Sequence, residues 1–92
     1  MVSNMGLYKL CFRDGVFESY NELEKKEQKK VYSIFRDIIR NGAESGYAHS
    51  EPIKGDLSGY FSKNVDKKNR VIFKIIEDRA EIASVETHYG DK

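Results

Sequence analysis

The 92-residue chain is poor in residues that cross-link or interrupt a fold, since it has one cysteine, one proline and no tryptophan. A single thiol, Cys11, excludes an intramolecular disulfide and a zinc site built from several cysteines. No uninterrupted apolar stretch is longer than three residues, so we expect no membrane-spanning segment. The N-terminal residues show no basic region followed by an apolar one, and we expect no secretory signal. These absences predict a small cytoplasmic domain.

Neither sign of charge dominates, because 16 Lys and Arg residues face 15 Asp and Glu residues and leave a formal net charge of +1. Any electropositive surface must therefore come from local arrangement. The two histidines, His49 and His88, lie far apart without metal-ligand spacing, and a catalytic metal needs about three convergent protein ligands. Glycine-rich phosphate loops are also missing. We expect neither a metal nor a nucleotide cofactor.

The periodicity of apolar residues predicts one domain over residues 1–92, with a short flexible lead at 1–5 and a tail at 90–92. Alternating or helical spacing indicates a strand at 7–13, helices at 16–23 and 24–40, a loop at 43–54, and strands at 57–65, 70–76 and 80–87. Strands segregated from helices favour an α+β fold. The expected architecture is an N-terminal strand, two helices and then an antiparallel three-strand meander forming one sheet packed on the helices.

The second predicted helix has two distinct faces. Apolar residues at helical spacing form a stripe that we assign to the core: Val31, Ile34, Phe35, Ile38 and Ile39. Lysines at 25, 26, 29 and 30 are interleaved with glutamates at 24 and 27. A solvated face with mixed-sign pairs is the favoured interpretation of these charges, and a face directed to RNA or a partner is the alternative.

Acidic, basic and cationic residues stand at the ends of the later elements. Glu51 lies in the 43–54 loop, Arg70 opens the most apolar strand, and His88 and Tyr89 end the last one. Alternate strand ends of a meander return to the same edge, so Arg70 and His88 are expected to lie close together. The loop must fold back to bring Glu51 to them. Each of these residues alone is also compatible with a solvated side chain of no functional role.

These residues belong to motifs that resemble a known family. The segment SEPIKGDLSGYFS at 50–62 resembles the E-P-L-K-x-x-L-S-G-aromatic-aromatic-S segment of YoeB/Txe toxins, which belong to the RelE/ParE superfamily of toxin–antitoxin systems. The stretch NRVIF at 69–73 is similar to the family's H-R-L-V-Y strand, and His88-Tyr89 to its C-terminal H-Y. The chain departs from the pattern in lacking tryptophan, in having Lys63-Asn64 for an arginine pair, and in extending past His-Tyr.

The resemblance implies an α+β toxin that cleaves messenger RNA on the ribosome and is silenced by a YefM-type antitoxin; it is also compatible with a homodimer. By position, it implies a general base at Glu51, a transition-state cation at Arg70 and a general acid at His88. The same correspondence gives an adjoining aromatic at Tyr89 and RNA contacts at Lys54 and Lys63.

Metal-free RNA cleavage needs these groups, namely a base for the 2′-hydroxyl, an acid for the departing 5′-oxygen and a cation for the charge on phosphorus. Carboxylate, imidazolium and guanidinium supply them without a cofactor. Two alternatives remain open at this point. One is a non-enzymatic toxin of the ParE kind that binds gyrase, and the other is an inactive module that only binds its antitoxin.

Overall fold

The computed structural model describes residues 7–55 and 59–87. The elements in chain order are β1 (Lys9–Phe12), α1 (Val16–Asn21), α2 (Lys25–Asn41), β2 (His49–Pro52), β3 (Phe61–Asn64), β4 (Arg70–Ile76) and β5 (Arg79–Glu86). The predicted α+β fold is confirmed, with two helices after an N-terminal strand and a meander after them. The expected lead at 1–5 and tail at 90–92 lie outside the described residues.

The five strands form one mixed sheet in the order β1-β5-β4-β3-β2. Strands β2 to β5 pair antiparallel with their neighbours, whereas β1 runs parallel to β5. The predicted antiparallel meander corresponds to β3, β4 and β5, whereas the parallel pairing of β1 was not predicted. Strands β1 and β5 are not consecutive in the chain, because α1, α2 and β2 to β4 lie between them, so no hairpin turn forces them to pair antiparallel.

Strand β2 corrects the prediction of a loop over residues 43–54. Its sequence, HSEP, has no alternation of apolar and polar residues, which is the signal that identifies a half-buried strand. It lies at the sheet edge, where only β3 pairs with it, and Pro52 is tolerated at such an edge. The backbone pairing with β3, rather than an intrinsic preference, makes this segment a strand.

The core lies between the helices and one face of the sheet. Helix α2 contributes its predicted apolar stripe, and the sheet contributes β4 and β5 residues that are almost fully buried; the main members are Val31, Ile34, Phe35, Ile38, Val71, Phe73, Ala80 and Ile82. Helix α2 ends at Gly42, whose φ of 60° suits glycine and whose N–H donates to the Ile38 carbonyl at 2.8 Å.

The opposite face of α2 is exposed and cationic. Its solvent-facing charges are Lys25, Lys26, Lys29, Lys30, Arg36 and Arg40, whereas its two acids, Glu27 and Asp37, are buried. Lys30 reaches across to Asp66 at 2.8 Å. In the described part of the chain, no helix combines the length and apolar content that crossing a membrane requires.

Candidate active site

The face of the sheet turned away from the helices carries mostly polar side chains. Cross-strand pairing places Glu51 opposite Ser62, and Asn64 opposite Arg70. Directly opposed residues in an antiparallel sheet project to the same face, as do alternate residues along a strand. The residues of β2, β3 and β4 that the sequence separates widely are therefore gathered on one surface.

A cleft opens on this surface between the edge strand and the start of β4. It has a volume of about 230 Å³ and is lined by Glu51, Pro52, Ile53, Ser62, Asn64 and Arg70. Pockets that enclose drug-sized ligands measure about 300–1,000 Å³. This cleft is smaller, so it accommodates a compact charged group such as a phosphodiester. Glu51 and Arg70, to which the family resemblance gives the roles of base and cation, both line it.

Arg70 is held in the cleft by an acid on the neighbouring strand. Its Nε donates to Glu86 Oε1 at 2.7 Å, and the two residues are register partners on β4 and β5. The Arg70 side chain is 24% exposed and that of Glu86 39%, so the pair is partly shielded from water. A charge-assisted bond of this length fixes the orientation of the guanidinium. Sequence reasoning missed Glu86, since nothing in the local pattern indicated its partner.

Glu51 is accessible to solvent and lies beside a histidine. Its side chain is 62% exposed, and its Oε2 lies 3.3 Å from Nε2 of His49, two residues earlier on the same strand. In the sequence, His49 stood out only as a possible metal ligand, and its spacing from His88 did not support that role. Because β2 had been interpreted as a loop, the shared face of His49 and Glu51 could not be predicted.

The two lysines predicted to contact RNA differ sharply in exposure. Lys54 is exposed and follows Ile53, which lines the cleft. Lys63 is fully buried, and its Nζ lies 2.8 Å from Asp37 Oδ2 on the helix side of the sheet. The prediction for Lys63 is therefore wrong for the folded chain, because a side chain without solvent exposure cannot contact RNA.

Asp37 is the second half of this buried pair and is satisfied on both carboxylate oxygens. Burial by itself raises the pKa of Asp37, but hydrogen bonds from Lys63, from the Ala48 N–H and from Asn41 outweigh it and hold the pKa below its usual range. The carboxylate is therefore ionised at neutral pH and balances the buried ammonium of Lys63.

A cation–aromatic cluster lies farther along the same face of the sheet. The ring of Tyr60 has Arg13 Cζ at 5.3 Å and Lys74 Nζ at 5.1 Å from its centroid. The Tyr60 hydroxyl accepts a hydrogen bond from Arg13, which also pairs with Glu81 at 3.3 Å. The Tyr60 carbonyl accepts from the N–H of Ile53 at 2.9 Å, so the cluster adjoins the cleft. No sequence pattern indicated this cation–aromatic cluster.

The remaining predicted site residues, His88 and Tyr89, lie outside the described part of the chain. The predictions for them stay predictions. Within residues 7–55 and 59–87, no group of three or more His, Cys, Asp and Glu side chains is arranged to hold a metal ion.

Comparison with known proteins defines the class of protein to which this fold and cleft belong. The model of a YoeB-like toxin of bacterial type II toxin–antitoxin systems matches residues 11–89. The toxin YoeB of Streptomyces coelicolor is 35% identical over 68 residues, which cover 74% of this chain and 80% of that protein. The fold and the match thus define a toxin of the type II toxin–antitoxin class.

Solved structures agree with this assignment. The YoeB–YefM complex from Staphylococcus aureus contains a chain with a TM-score of 0.75 and 30% identity, and the match covers 89% of this chain and 98% of that one. The YoeB dimer from the same organism gives a TM-score of 0.74 at the same identity and coverage. The chain belongs to the YoeB toxin family of the RelE/ParE superfamily, as the sequence resemblance predicted.

Proposed function

We propose that this chain is an endoribonuclease that cleaves messenger RNA on the ribosome by attack of the substrate's own 2′-hydroxyl. The observation that carries the proposal is the cleft in which a carboxylate, Glu51, and a guanidinium, Arg70, line one phosphate-sized space. Membership of a toxin family gives the biological setting. A cleft formed by opposite charges from two strands suits a reaction that moves protons around an anionic centre.

The proposed reaction needs no covalent enzyme intermediate. Glu51 accepts the proton of the 2′-hydroxyl, and the resulting oxygen forms a bond to the adjacent phosphorus. The bond from phosphorus to the 5′-oxygen breaks, and that oxygen takes a proton from His88. The products are a 2′,3′-cyclic phosphate and a free 5′-hydroxyl. Arg70 stabilises the extra negative charge on the phosphorus oxygens, for which a guanidinium held in place by Glu86 is suited.

The position of His88 in the sequence supports its role in this proposal. Strand β5 ends at Glu86, which pairs with Arg70 at the cleft. His88 follows Glu86 by two residues in the sequence, a separation that extended backbone spans in at most about 7 Å. Tyr89 next to it is proposed to stack on a base, and Lys54 to contact a phosphate.

The proposed partner is a YefM-type antitoxin. The Staphylococcus aureus relatives were solved as a YoeB–YefM complex and as a YoeB dimer, and we extend both associations to this chain. An antitoxin segment with acidic side chains would neutralise Arg70 and Lys54 and cover the open face of the sheet. The proposed substrate, ribosome-bound message, assigns the chain to the cytoplasm.

The test uses induced expression of Glu51→Gln, Arg70→Ala and His88→Gln variants. We expect each variant to lose growth arrest and transcript cleavage, measured by primer extension, while its thermal unfolding stays close to that of the wild type. Glu44→Gln serves as the control, because Glu44 is an exposed carboxylate outside the cleft. Arrest by all three variants at the wild-type level contradicts the proposal. Arrest without transcript cleavage but with loss of gyrase activity supports the ParE-like alternative instead.

A further inference from the structure

Strand β2, which carries Glu51, is held by few apolar contacts. Three of its four residues are exposed and the fourth is half-buried, whereas Val71, Ile72 and Phe73 in β4 are buried. Among the described residues it is an edge strand, with β3 as its neighbour in the sheet. Backbone pairing with β3 orders this strand, and the polar contacts at its start set how the chain enters that pairing and hence where Glu51 lies.

Those contacts converge on the buried carboxylate of Asp37. Its Oδ1 accepts hydrogen bonds from Asn41 Nδ2 at 2.6 Å and from the N–H of Tyr47 at 3.1 Å. Its Oδ2 accepts from the N–H of Ala48 at 3.0 Å and from Lys63 Nζ at 2.8 Å. The side chains of Asp37 and Lys63 are only 2% and 0% exposed. One carboxylate thus joins α2, the two residues that precede β2, and β3.

The position of these partners along the chain links them to the cleft. Ala48 directly precedes β2, and Glu51 follows three residues later. Lys63 is adjacent to Ser62, which pairs with Glu51. The network is also tightly packed, since a Cβ added at Gly46 would lie 2.4 Å from Asp37 Oδ1 and 2.2 Å from the Asn41 side-chain nitrogen.

The hydrogen bonds to Asp37 orient the backbone, which an apolar pair of equal stability would not do. A buried ion pair can often be replaced by apolar residues of similar volume without loss of stability, because desolvation offsets the attraction between the charges. An apolar pair would not orient the N–H groups of Tyr47 and Ala48. What the carboxylate uniquely supplies here is the direction of four hydrogen bonds, and therefore the path of the chain into β2.

We propose that Asp37, with Lys63 as its counter-ion, is a positioning residue that holds β2 so that Glu51 faces Arg70 across the cleft. The inference rests on the proposed function, because it concerns the placement of the base of that reaction. Asp37 itself lies on the helix side of the sheet and does not touch the substrate.

The main test is the double variant Asp37→Leu/Lys63→Met, which removes both buried charges and retains apolar volume. We expect a lower melting temperature, because the N–H groups of Tyr47 and Ala48 lose their acceptor, but a folded domain at the assay temperature. The kcat for cleavage of ribosome-bound message falls at least tenfold with little change in KM, because Arg70 still binds phosphate. Amide hydrogen exchange speeds up at Tyr47, Ala48 and β2, but not in β4 or β5. A merely structural pair would leave kcat and the exchange of the β2 amides unchanged once the fold is retained.

A second variant tests the same inference without removing a charge. Gly46→Ala places a methyl group against Asp37 and Asn41, so these side chains or the turn before β2 must shift and the hydrogen bonds of Asp37 are disturbed. Gly46 does not have a positive φ, so the substitution is not strained by its backbone conformation. We expect the same selective fall in kcat. The control is Lys9→Gln/Asp78→Asn, an exposed pair 3.8 Å apart at the far side of the sheet, for which we expect no change.

The outcomes separate this inference from the proposed function. If Asp37→Leu/Lys63→Met and Gly46→Ala fold and cleave at the wild-type rate while Glu51→Gln is inactive, the positioning role is wrong and the proposed function stands. Unchanged exchange in β2 of either variant also overturns the positioning role. If Glu51→Gln cleaves at the wild-type rate, the proposed function itself is wrong, whatever the Asp37 variants do.

Discussion

The turn between β3 and β4 depends on one carboxylate, and its removal gives a quantitative prediction. Asp66 Oδ1 accepts the N–H groups of Lys68 and Asn69, each at 2.9 Å, and its Oδ2 lies 2.8 Å from Lys30 Nζ. The turn fixes the register that places Asn64 opposite Arg70. A change at Asp66 therefore acts on global stability and on one wall of the cleft.

We expect Asp66→Ala to destabilise the fold by about 2–3 kcal/mol at pH 7, because two hydrogen bonds to a charged acceptor are lost at about 1.5 kcal/mol each and water recovers part of the loss. The half-exposed ion pair with Lys30 adds at most about 1 kcal/mol. For a domain of this size such a loss lowers Tm by about 10–20 °C. Thermal unfolding followed by circular dichroism measures it.

The loss of stability caused by Asp66→Ala depends on pH. Burial alone raises the pKa of Asp66, but the hydrogen bonds from Lys30, Asn69 and Lys68 outweigh it and hold the pKa well below its usual range. Because the pKa of Asp66 is lower in the folded chain than in the unfolded chain, where it is about 3.9, the ionised carboxylate stabilises the fold fully above that pH. This stabilisation is lost as the pH falls toward the folded-state pKa. The difference between wild type and variant therefore narrows below about pH 4.

Asp78→Ala is the matched control, since Asp78 lies in the next turn, is 65% exposed and reaches Lys9 only at 3.8 Å. We expect it to change stability by less than about 0.5 kcal/mol. A loss below about 1 kcal/mol for Asp66→Ala at pH 7, or a difference that persists on acidification, would refute the assignment of the turn to this carboxylate.

Three further predictions follow from the packing and the site. Phe73→Ala empties a fully buried core position and costs about 3–5 kcal/mol in urea-induced unfolding. Gly42→Ala costs about 1–3 kcal/mol, because φ is 60° and the new Cβ would lie 2.7 Å from the ring of Tyr8; the same denaturation assay measures it. Glu86→Gln weakens the bond to Arg70 and lowers kcat/KM for message cleavage by about fivefold with little effect on Tm.

The sequence predicted the elements whose signal is local. Strand β4 has the predicted bounds, because its apolar run is unbroken except for Lys74. Helix α2 was predicted to within one residue at each end, since its apolar stripe and the Asn41-Gly42 terminus are both local. Such patterns result from side chains that face one common core, so they can be identified without knowledge of the partner surface.

The rest of the site depends on contacts between distant residues. The family resemblance assigned an RNA contact to Lys63, but the side chain is buried, and the carboxylate of Asp37, 26 residues earlier, makes this burial tolerable. Strand β2 is ordered by its pairing with β3, and the sequence of its own four residues does not predict that pairing. The motif resemblance nevertheless selected Glu51 and Arg70, and the cleft contains both.

Charge is unevenly distributed in this nearly neutral chain, because α2 carries an excess of cations. The helix holds six of the 16 cations, all exposed, and two of the 15 acids, both buried. The helix is thus net positive and the remainder of the chain net negative. Isoelectric focusing, which reports only total charge, would show a protein with a pI near 7.8, whereas a sulfonate chromatography resin would retain it through one side.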